Sequence, residues 1–318
     1  MNKDRVIRAG KNVADVTVII LTLNEELHLA RALACISWAA RIVVIDSGST
    51  DATVTIAKSL GADVLIHAFR SHADQLNWAL DNANITTEWV MRLDADEIIG
   101  ADLANNIKSA IKTLQTDITC INFARRHIFM GRWIKYGGRY PLIMLRLWRH
   151  GCAQVESRWM DEHMIPVCGE SIMLEGAFCD ANLNDVGWFT AKHSGYAVRE
   201  AVDVLSAKYA LDTAPDSLLN KQAQRKRRFK AHIYNKLPFG IGPLGYFIWR
   251  MTVQLGFLDG REGLVYHVLQ GFWYRFLVDV RKLEFERALA DCKNNEQKLA
   301  ILSKLSGIAL EKGGAIQS

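Results

Sequence analysis

Three short polar clusters each follow an apolar run, and their residue types suit ion and nucleotide chemistry. Thr22-Leu23-Asn24-Glu25 closes the run Val16–Leu23, Asp46-Ser47-Gly48-Ser49-Thr50-Asp51 follows Ile42–Ile45, and Asp94-Ala95-Asp96-Glu97 follows Trp89–Leu93. Two carboxylates two residues apart on an extended turn can hold a hard divalent cation and leave coordination positions open to phosphate oxygens. The small loop after Asp46 permits close approach of a ligand, and its carboxylate can accept an N–H from a nucleobase. Taken singly, each cluster also reads as an ordinary strand-to-helix turn, with the last acids capping a helix near Asp102. A Gly-Lys-Ser/Thr phosphate loop is absent, as is a G-x-G-x-x-G fingerprint. A nucleotide held here would therefore have its phosphates met by a metal rather than by a glycine cradle.

Farther along, Arg132, Lys135, Arg139, Arg146 and Arg149 interleave with Trp133, Tyr136, Tyr140 and Trp148. Such a segment can stack on a sugar while pairing with phosphate groups; the competing reading is amphipathic strand packing with solvated arginines. No nucleic-acid-binding motif accompanies it, so nucleic acid is not expected as a partner.

The elements that must position these residues are legible from periodicity. Val16–Leu23 is β-branched and continuous, as for a parallel strand buried on both faces. Asn24-Glu25-Glu26 is expected to cap a helix through Leu33, with its acids at the positive end. Strand Ile42–Ile45, helix Ala52–Leu60, strand Val64–His67, helix Asp74–Asn84 and strand Trp89–Leu93 follow at short spacing. A βαβαβαβ series of this kind gives a mostly parallel sheet flanked by helices, in which ligands bind beyond the C-terminal strand ends. The three clusters then converge on one pocket. Cys120–Glu175 reads as strand and loop, and long helical segments begin near Asp185.

The chain has 318 residues, half of them hydrophobic and 23% charged, which excludes disorder and leaves room for one enlarged domain or two. Its net charge of +5 is unevenly spread. Lys221–Arg287 holds 13 Lys or Arg against 5 Asp or Glu, and Phe229–Phe285 holds 13 of the 29 aromatic residues. The six cysteines form no CxxC pair and no zinc spacing, and are expected to be reduced, mostly buried thiols. The N-terminus lacks the long apolar segment and cleavage site of a signal peptide, so a cytoplasmic protein is expected.

Four segments together, 18–26 (VIILTLNEE), 41–62 (RIVVIDSGSTDATVTIAKSLGA), 74–80 (DQLNWAL) and 89–99 (WVMRLDADEII), resemble the family-2 glycosyltransferases of the GT-A fold. The similarity is greatest to the bacterial branch that builds lipopolysaccharide cores and surface polysaccharides, and it extends through 129–151 and 256–277. The resemblance implies an α/β, Rossmann-like nucleotide-diphospho-sugar transferase using Mg²⁺ or Mn²⁺. It implies a nucleotide-sugar site lined by Thr22, Asn24, Glu25, Ser47 and Ala95, with Asp46 on the base and Gln75 and Asn77 beside the base and diphosphate. Asp94 would lie on the ribose or metal side, and Asp96 would bind the metal. Branch members invert the anomeric centre, which requires a carboxylate base on the acceptor side. Glu162, with Asp161 second, is the candidate in Trp159-Met160-Asp161-Glu162-His163; His163 is a further metal or phosphate contact. A solvated surface turn is the competing reading of this cluster. Arg132, Arg139 and Arg146 are the expected acceptor and phosphate contacts.

The expected organisation is a catalytic domain over 1–185, its nucleotide-sugar half 14–100 and its acceptor half 101–185, followed by a helical, basic-aromatic region over 186–318. The longest charge-free run of that region, Leu237–Trp249, is too short and too interrupted by Pro and Gly to cross a bilayer. It can lie on one. Arg225-Lys226-Arg227-Arg228-Phe229-Lys230 would face anionic head groups, and Phe239, Tyr246, Phe247, Trp249, Phe272, Trp273 and Phe276 would enter the boundary, unless those aromatics form a helical core. The expectation is thus a hexosyltransferase acting on a lipid-linked or lipopolysaccharide saccharide at the inner face of the cytoplasmic membrane. The other readings are a sugar nucleotidyltransferase, disfavoured by the absence of a Gly-rich loop with Lys, and an inactive saccharide-binding scaffold.

Overall fold

The computed structural model describes residues 13–155, 163–211, 238–308 and 310. The candidate bases Asp161 and Glu162 and the basic run 225–230 lie outside the described residues. The chain divides into two units, one holding 13–135, 139–155 and 163–183, the other 136–138 and the described residues from 184 onward.

The first unit is α/β. Strands β1 (Ala14–Thr22), β2 (Ala39–Asp46), β3 (Asp63–Ile66) and β4 (Trp89–Asp94) lie parallel in the order β3-β2-β1-β4. Their apolar runs are continuous because successive side chains serve different cores. Val16, Val18 and Ile20 enter one hydrophobic cluster with Ile42, Val44, Trp89, Met91 and Leu93; Ile19 and Leu21 enter the other with Val43, Ile45 and Val90. Helices α1 (Leu29–Cys35), α2 (Thr53–Ser59) and α3 (His72–Asn82) follow β1, β2 and β3. Leu29, Ala32 and Leu33 of α1 complete the first cluster; Ala73, Leu76 and Ala79 of α3 complete the second.

Beyond β4 the sheet changes character. Strand β5 (Glu97–Ile98) and helix α4 (Ala101–Thr113) precede β6 (Ile118–Phe129), β7 (Arg132–Ile134), β8 (Leu142–Arg149), the short pair β9 (Ala153–Val155) and β10 (Met164–Pro166), and β11 (Glu170–Ala181). The sheet continues β4-β8-β6-β11-β5, antiparallel except between β6 and β11, with β7 paired to β6.

Two local expectations are corrected. The acids 24–26 do not cap α1, whose N-cap is His28 and whose first turn carries no acid; Asn24 is in the left-handed region at φ 56° and its side chain serves the neighbouring loop. Nor are all cysteines free: Cys152 and Cys168 form a disulfide, leaving Cys35, Cys120, Cys179 and Cys292 as thiols. The reason is geometric. Antiparallel pairing of β9 with β10, Ala153 opposite Pro166, brings the flanking cysteines to a Cα separation of 5.0 Å, within disulfide reach.

The second unit is helical, comprising α5 (Val186–Lys208), α6 (Ile241–Thr252), a 3₁₀ turn (Gly256–Asp259), α7 (Gly260–Tyr266), a π-helical stretch (His267–Trp273), α8 (Tyr274–Leu289) and α9 (Asn295–Ser306). Asp185 caps α5 by accepting the Trp188 N–H at 2.7 Å. Ala201, Val202 and Leu205 of α5 pack with Phe285, Leu289, Leu299 and Leu302. The loop Tyr136–Gly138 belongs to this unit: the buried Asp259 carboxylate accepts the Tyr136 N–H at 3.0 Å, and buried Arg250 donates to the Gly137 carbonyl at 3.0 Å. Gly137 has φ +63°, and a Cβ there would lie 2.3 Å from the His267 ring, so only glycine fits. Among the described residues no helix is long and apolar enough to cross a membrane.

A cross-link closing 16 residues of sequence contributes about 3 kcal/mol by restricting the unfolded chain. Replacing Cys152 and Cys168 together by Ser should lower the Tm relative to oxidised wild type by roughly 5–10 °C, and reduced wild type should match the variant. Equal Tm values for oxidised wild type and variant would contradict the pairing.

Candidate active site

The register of β1 assembles the site. Thr22 sits opposite Asp46 on β2, and Leu21 opposite Asp94 on β4, so the three polar clusters leave the sheet at one edge. This convergence is the one expected for parallel strand ends.

The first two clusters are laced together. The Asp46 carboxylate, 1% exposed, accepts the Gly48 and Ser49 N–H groups at 3.0 and 2.8 Å and the hydroxyls of Thr22 and Ser49 at 2.9 and 2.5 Å. Every partner belongs to β1 or the loop itself, so the group expected to take a base N–H is committed to shaping its loop. Gly48, at φ +92°, makes the tight turn possible. Asn24 accepts the Thr50 N–H at 2.8 Å and donates its own backbone N–H to Ser49. Glu25 donates its N–H to Thr53. Its carboxylate meets Nδ1 of buried His28 at 2.7 Å, while Nε2 of His28 accepts the Leu183 N–H at 2.9 Å. An accepting Nε2 fixes the ring proton on Nδ1, so His28 donates to Glu25 and orients it. Sequence reasoning passed over His28, although its spacing three residues after Glu25 is that of one helical turn.

Gln75 and Asn77 separate. Gln75 is buried and donates to the Ile45 carbonyl at 3.0 Å and to Ser47 Oγ at 2.6 Å, so it braces the Asp46 loop. Asn77 instead exchanges hydrogen bonds with the Val155 backbone at 3.2 and 3.4 Å, holding the end of β9, immediately before residues 156–162.

The third cluster is an acidic network with its own cations. Asp94 pairs with Arg92 at 3.2 Å and Arg146 at 3.1 Å, and its N–H donates to Glu97. Arg146 also meets Glu97 at 2.5 Å, both side chains almost wholly buried. Burial alone would push the Asp94 carboxyl up; Arg92 and Arg146, with nearby His72, outweigh it and hold the group well below the usual carboxylate range. Arg146, expected on the acceptor side, is thus placed beneath the acidic cluster as a buried counter-ion. Asp96 accepts from Asn182 at 2.9 Å and lies close to Asp180, at the end of β11. Burial first, then the charge of Asp180, push Asp96 up to about 6, with Asp94 and Glu25 adding to the rise against the Asn182 hydrogen bond. Asp180 itself pairs with Arg125 at 3.2 Å and His127 at 3.0 Å. His127, Arg125 and Arg139 overcome burial and keep Asp180 ionised.

Other expected residues are placed as follows. The Ala95 side chain is buried in the first core cluster, leaving only its backbone to a ligand. Arg132 is exposed on β7, and Arg139 is close enough to Asp180 and His127 to influence both. His163 directly precedes β10, and among the described residues no three His, Cys, Asp or Glu side chains come together as a metal site. Glu97, Asp180 and Asn182 were missed: Glu97 was visible as the third acid of its cluster, whereas Asp180 and Asn182 carry no local motif and become relevant only through pairing of β11 with β5, Asp180 opposite Glu97.

Residues 17–175 match the family described as Glycosyl transferase family 2. A glycosyltransferase of Rickettsia typhi is 34% identical over 94 residues, 29% of this chain and 32% of the relative. The lipopolysaccharide core biosynthesis glycosyltransferase LpsC of Rhizobium meliloti is 33% identical over 86 residues, 26% of this chain and 31% of that protein. The chain thus spans about a third of the length of these relatives. Crystal structures of glucosyl-3-phosphoglycerate synthase from Mycobacterium tuberculosis, one of them with Mn²⁺, UDP and phosphoglyceric acid, align at 23% identity over 35% of this chain and 43% of that one, with a TM-score of 0.30. The family match covers half of the chain and contains the converging strand ends, Asp46, Asp94 and Asp96: the protein belongs to glycosyl transferase family 2, and its first unit has the α/β sheet expected of the GT-A fold.

Proposed function

We propose that this glycosyltransferase moves a hexose from a nucleotide sugar, UDP-linked in our reading, to a lipid-linked or lipopolysaccharide saccharide during cell-envelope polysaccharide synthesis, with inversion at the anomeric carbon. Residues 1–185 are the catalytic domain and 186–318 a basic, aromatic helical region that works at the inner face of the cytoplasmic membrane. The observation that carries the reading is the convergence of Thr22–Glu25, the Asp46 loop and Asp94–Asp96 on one sheet edge. The name of the relative LpsC supports the acceptor class.

The donor set fits a divalent cation. Asp94 and Asp96 offer hard carboxylate oxygens; burial and then the neighbouring acids push Asp96 up to about 6, and a cation would relieve the repulsion among those acids. Two side chains leave the remaining positions to phosphate oxygens and water. When bound, Mg²⁺ or Mn²⁺ would stabilise the negative charge developing on the departing diphosphate without a proton transfer. Thr22, Asn24 and Ser47 shape the donor loop, and Glu25 is oriented toward its task by His28. Glu162, or Asp161, removes the acceptor hydroxyl proton as that oxygen attacks the face opposite the leaving group. In sequence the two candidates follow Val155, whose backbone Asn77 holds, and fall between the cross-linked Cys152 and Cys168. Arg132 and Arg139 are the acceptor-side cations; Arg146 is already engaged by Asp94 and Glu97.

Thermal stabilisation by a panel of nucleotide sugars with Mn²⁺ tests the donor class, and product analysis by NMR tests inversion. Glu162→Gln should cut transfer by about 10²–10⁴ while nucleotide affinity survives; wild-type turnover would remove Glu162 from the role and transfer the test to Asp161. Asp96→Ala should abolish Mn²⁺-dependent nucleotide binding in calorimetry, and unchanged affinity would sink the assignment. Because a ligand carboxyl must shed its proton to take a cation, that binding should weaken as pH falls through about 6, and a flat profile between pH 7 and 5 would contradict it.

A further inference from the structure

The helical unit carries a surface that its own packing leaves unexplained. From Pro238 to Leu258 the only charged residue is Arg250, and Arg250 is wholly buried, with its guanidinium on the Gly137 carbonyl and the Gln270 side chain. The exposed surface of these 21 residues therefore bears no charge. It is instead aliphatic and aromatic. Ile241, Leu244 and Ile248 recur along one face of α6 at helical spacing, and Trp249, Val253 and Phe257 extend the face into the 3₁₀ turn; all six are about half exposed or more. Scattered apolar side chains on a surface need no explanation, but a contiguous patch without charge marks an interaction site.

This set is not the one the sequence pointed to. Phe247, Phe272 and Phe276 are half-buried and pack among themselves, with ring centroids of the pairs 6.1 and 6.0 Å apart. Tyr246 lies 5.5 Å from the buried Arg250 guanidinium. Of the aromatics named above, Phe239 and Trp249 are exposed, whereas Trp273 packs against Ala197, Tyr274 and Val278.

We infer that this face docks on an anionic phospholipid surface, with α6 lying in the interface plane rather than crossing it. The sequence beside it supplies the charge complementarity. Residues 221–236 contain seven Lys or Arg and no acid, and the last of them, Lys236, is three residues from Phe239. Apolar burial together with a basic tether is the combination that gives stable interfacial binding, each cation near an anionic surface adding about 1 kcal/mol to the apolar contribution. A second copy of the chain would meet the apolar face equally well but would bring two basic runs together, which their like charge opposes. The inference rests on the proposed action on lipid-carried acceptors, and names the surface by which the enzyme would reach them.

The test is co-sedimentation of the full chain with phosphatidylcholine vesicles containing about a third phosphatidylglycerol, and with phosphatidylcholine alone. Wild type should bind the anionic vesicles; Ile248→Asp with Val253→Asp should lose at least about tenfold in partitioning, and replacing Arg225, Lys226, Arg227 and Arg228 by Gln should remove the preference for anionic lipid. Leu244→Ser provides a milder variant should the double substitution unfold. Absence of wild-type binding, or full binding by both patch variants, overturns the inference. So does wild-type dimerisation in sedimentation equilibrium that the patch variants abolish, which assigns the face to a second copy. Mn²⁺-dependent nucleotide-sugar binding, measured on the same preparations, separates the readings: its loss with vesicle binding intact refutes the enzyme reading and not the surface, and the reverse result refutes the surface alone.

Discussion

The register of β1 against its two neighbours is the constraint on which the site depends. With Thr22 opposite Asp46 and Leu21 opposite Asp94, three segments separated by tens of residues in sequence end at one edge. Side chains alternate faces along a strand, so a slip of one residue in either pairing would exchange Ile19 and Leu21 with Val18 and Ile20 between the two cores. Each of these side chains is buried, so a slip would misfill core positions on both faces. The chemistry is therefore held in place by apolar residues that never touch it. Burial on both faces is what makes the register strict, and a strict register is what allows acids at the strand ends to be positioned without support from one another.

Acids brought together in this way repel, and the surrounding cations show how the fold offsets that repulsion unevenly. Asp94 has Arg92 and Arg146; Asp180 has Arg125 and His127. Asp96 is given an amide from Asn182, and the charges beside it are those of the acids Asp180, Asp94 and Glu25. The outcome is two carboxyls held ionised and one pushed toward protonation. Removing one partner of a buried pair is costly because it strands the other charge, so Arg146, lying under both Asp94 and Glu97, fixes the geometry of the cluster more firmly than any surface pair would. The uncompensated position is the one at which an incoming cation gains most.

Much of this was legible in the sequence for a definite reason. Strand β1, the Asp46 loop and the Asp94–Asp96 turn are local patterns: a β-branched run, a turn and a pair of acids, each readable within ten residues, and parallel topology then dictates their convergence. The features that were not legible all depend on pairings distant in sequence. Asp180 and Asn182 matter because β11 meets β5; Arg146 is consumed because β8 runs beside β4; Asn77 holds Val155 because α3 lies against β9. The disulfide belongs with them, since Cys152 and Cys168 have no motif spacing and are joined only because β9 and β10 form a hairpin. Asn24 is a smaller instance: an N-cap by residue type, it is turned by a left-handed backbone toward Thr50.

The uneven charge of the chain follows from the same logic. In the first unit acids gather at a strand edge, and most of the arginines around them are neutralised within a few ångströms. In the second unit two cations are likewise engaged internally: Arg250 braces the Gly137 loop and Arg275 meets Glu200 at 2.6 Å. Internal pairing of this kind leaves α6 free to present an uncharged surface, because its one arginine points inward. Had Arg250 faced solvent, the exposed stripe of Ile241, Leu244 and Ile248 would be an ordinary amphipathic helix seen from its wrong side. Buried, it inverts the usual arrangement, with the polar group inside and the apolar groups outside, and leaves an exposed apolar stretch of the kind that marks interaction surfaces.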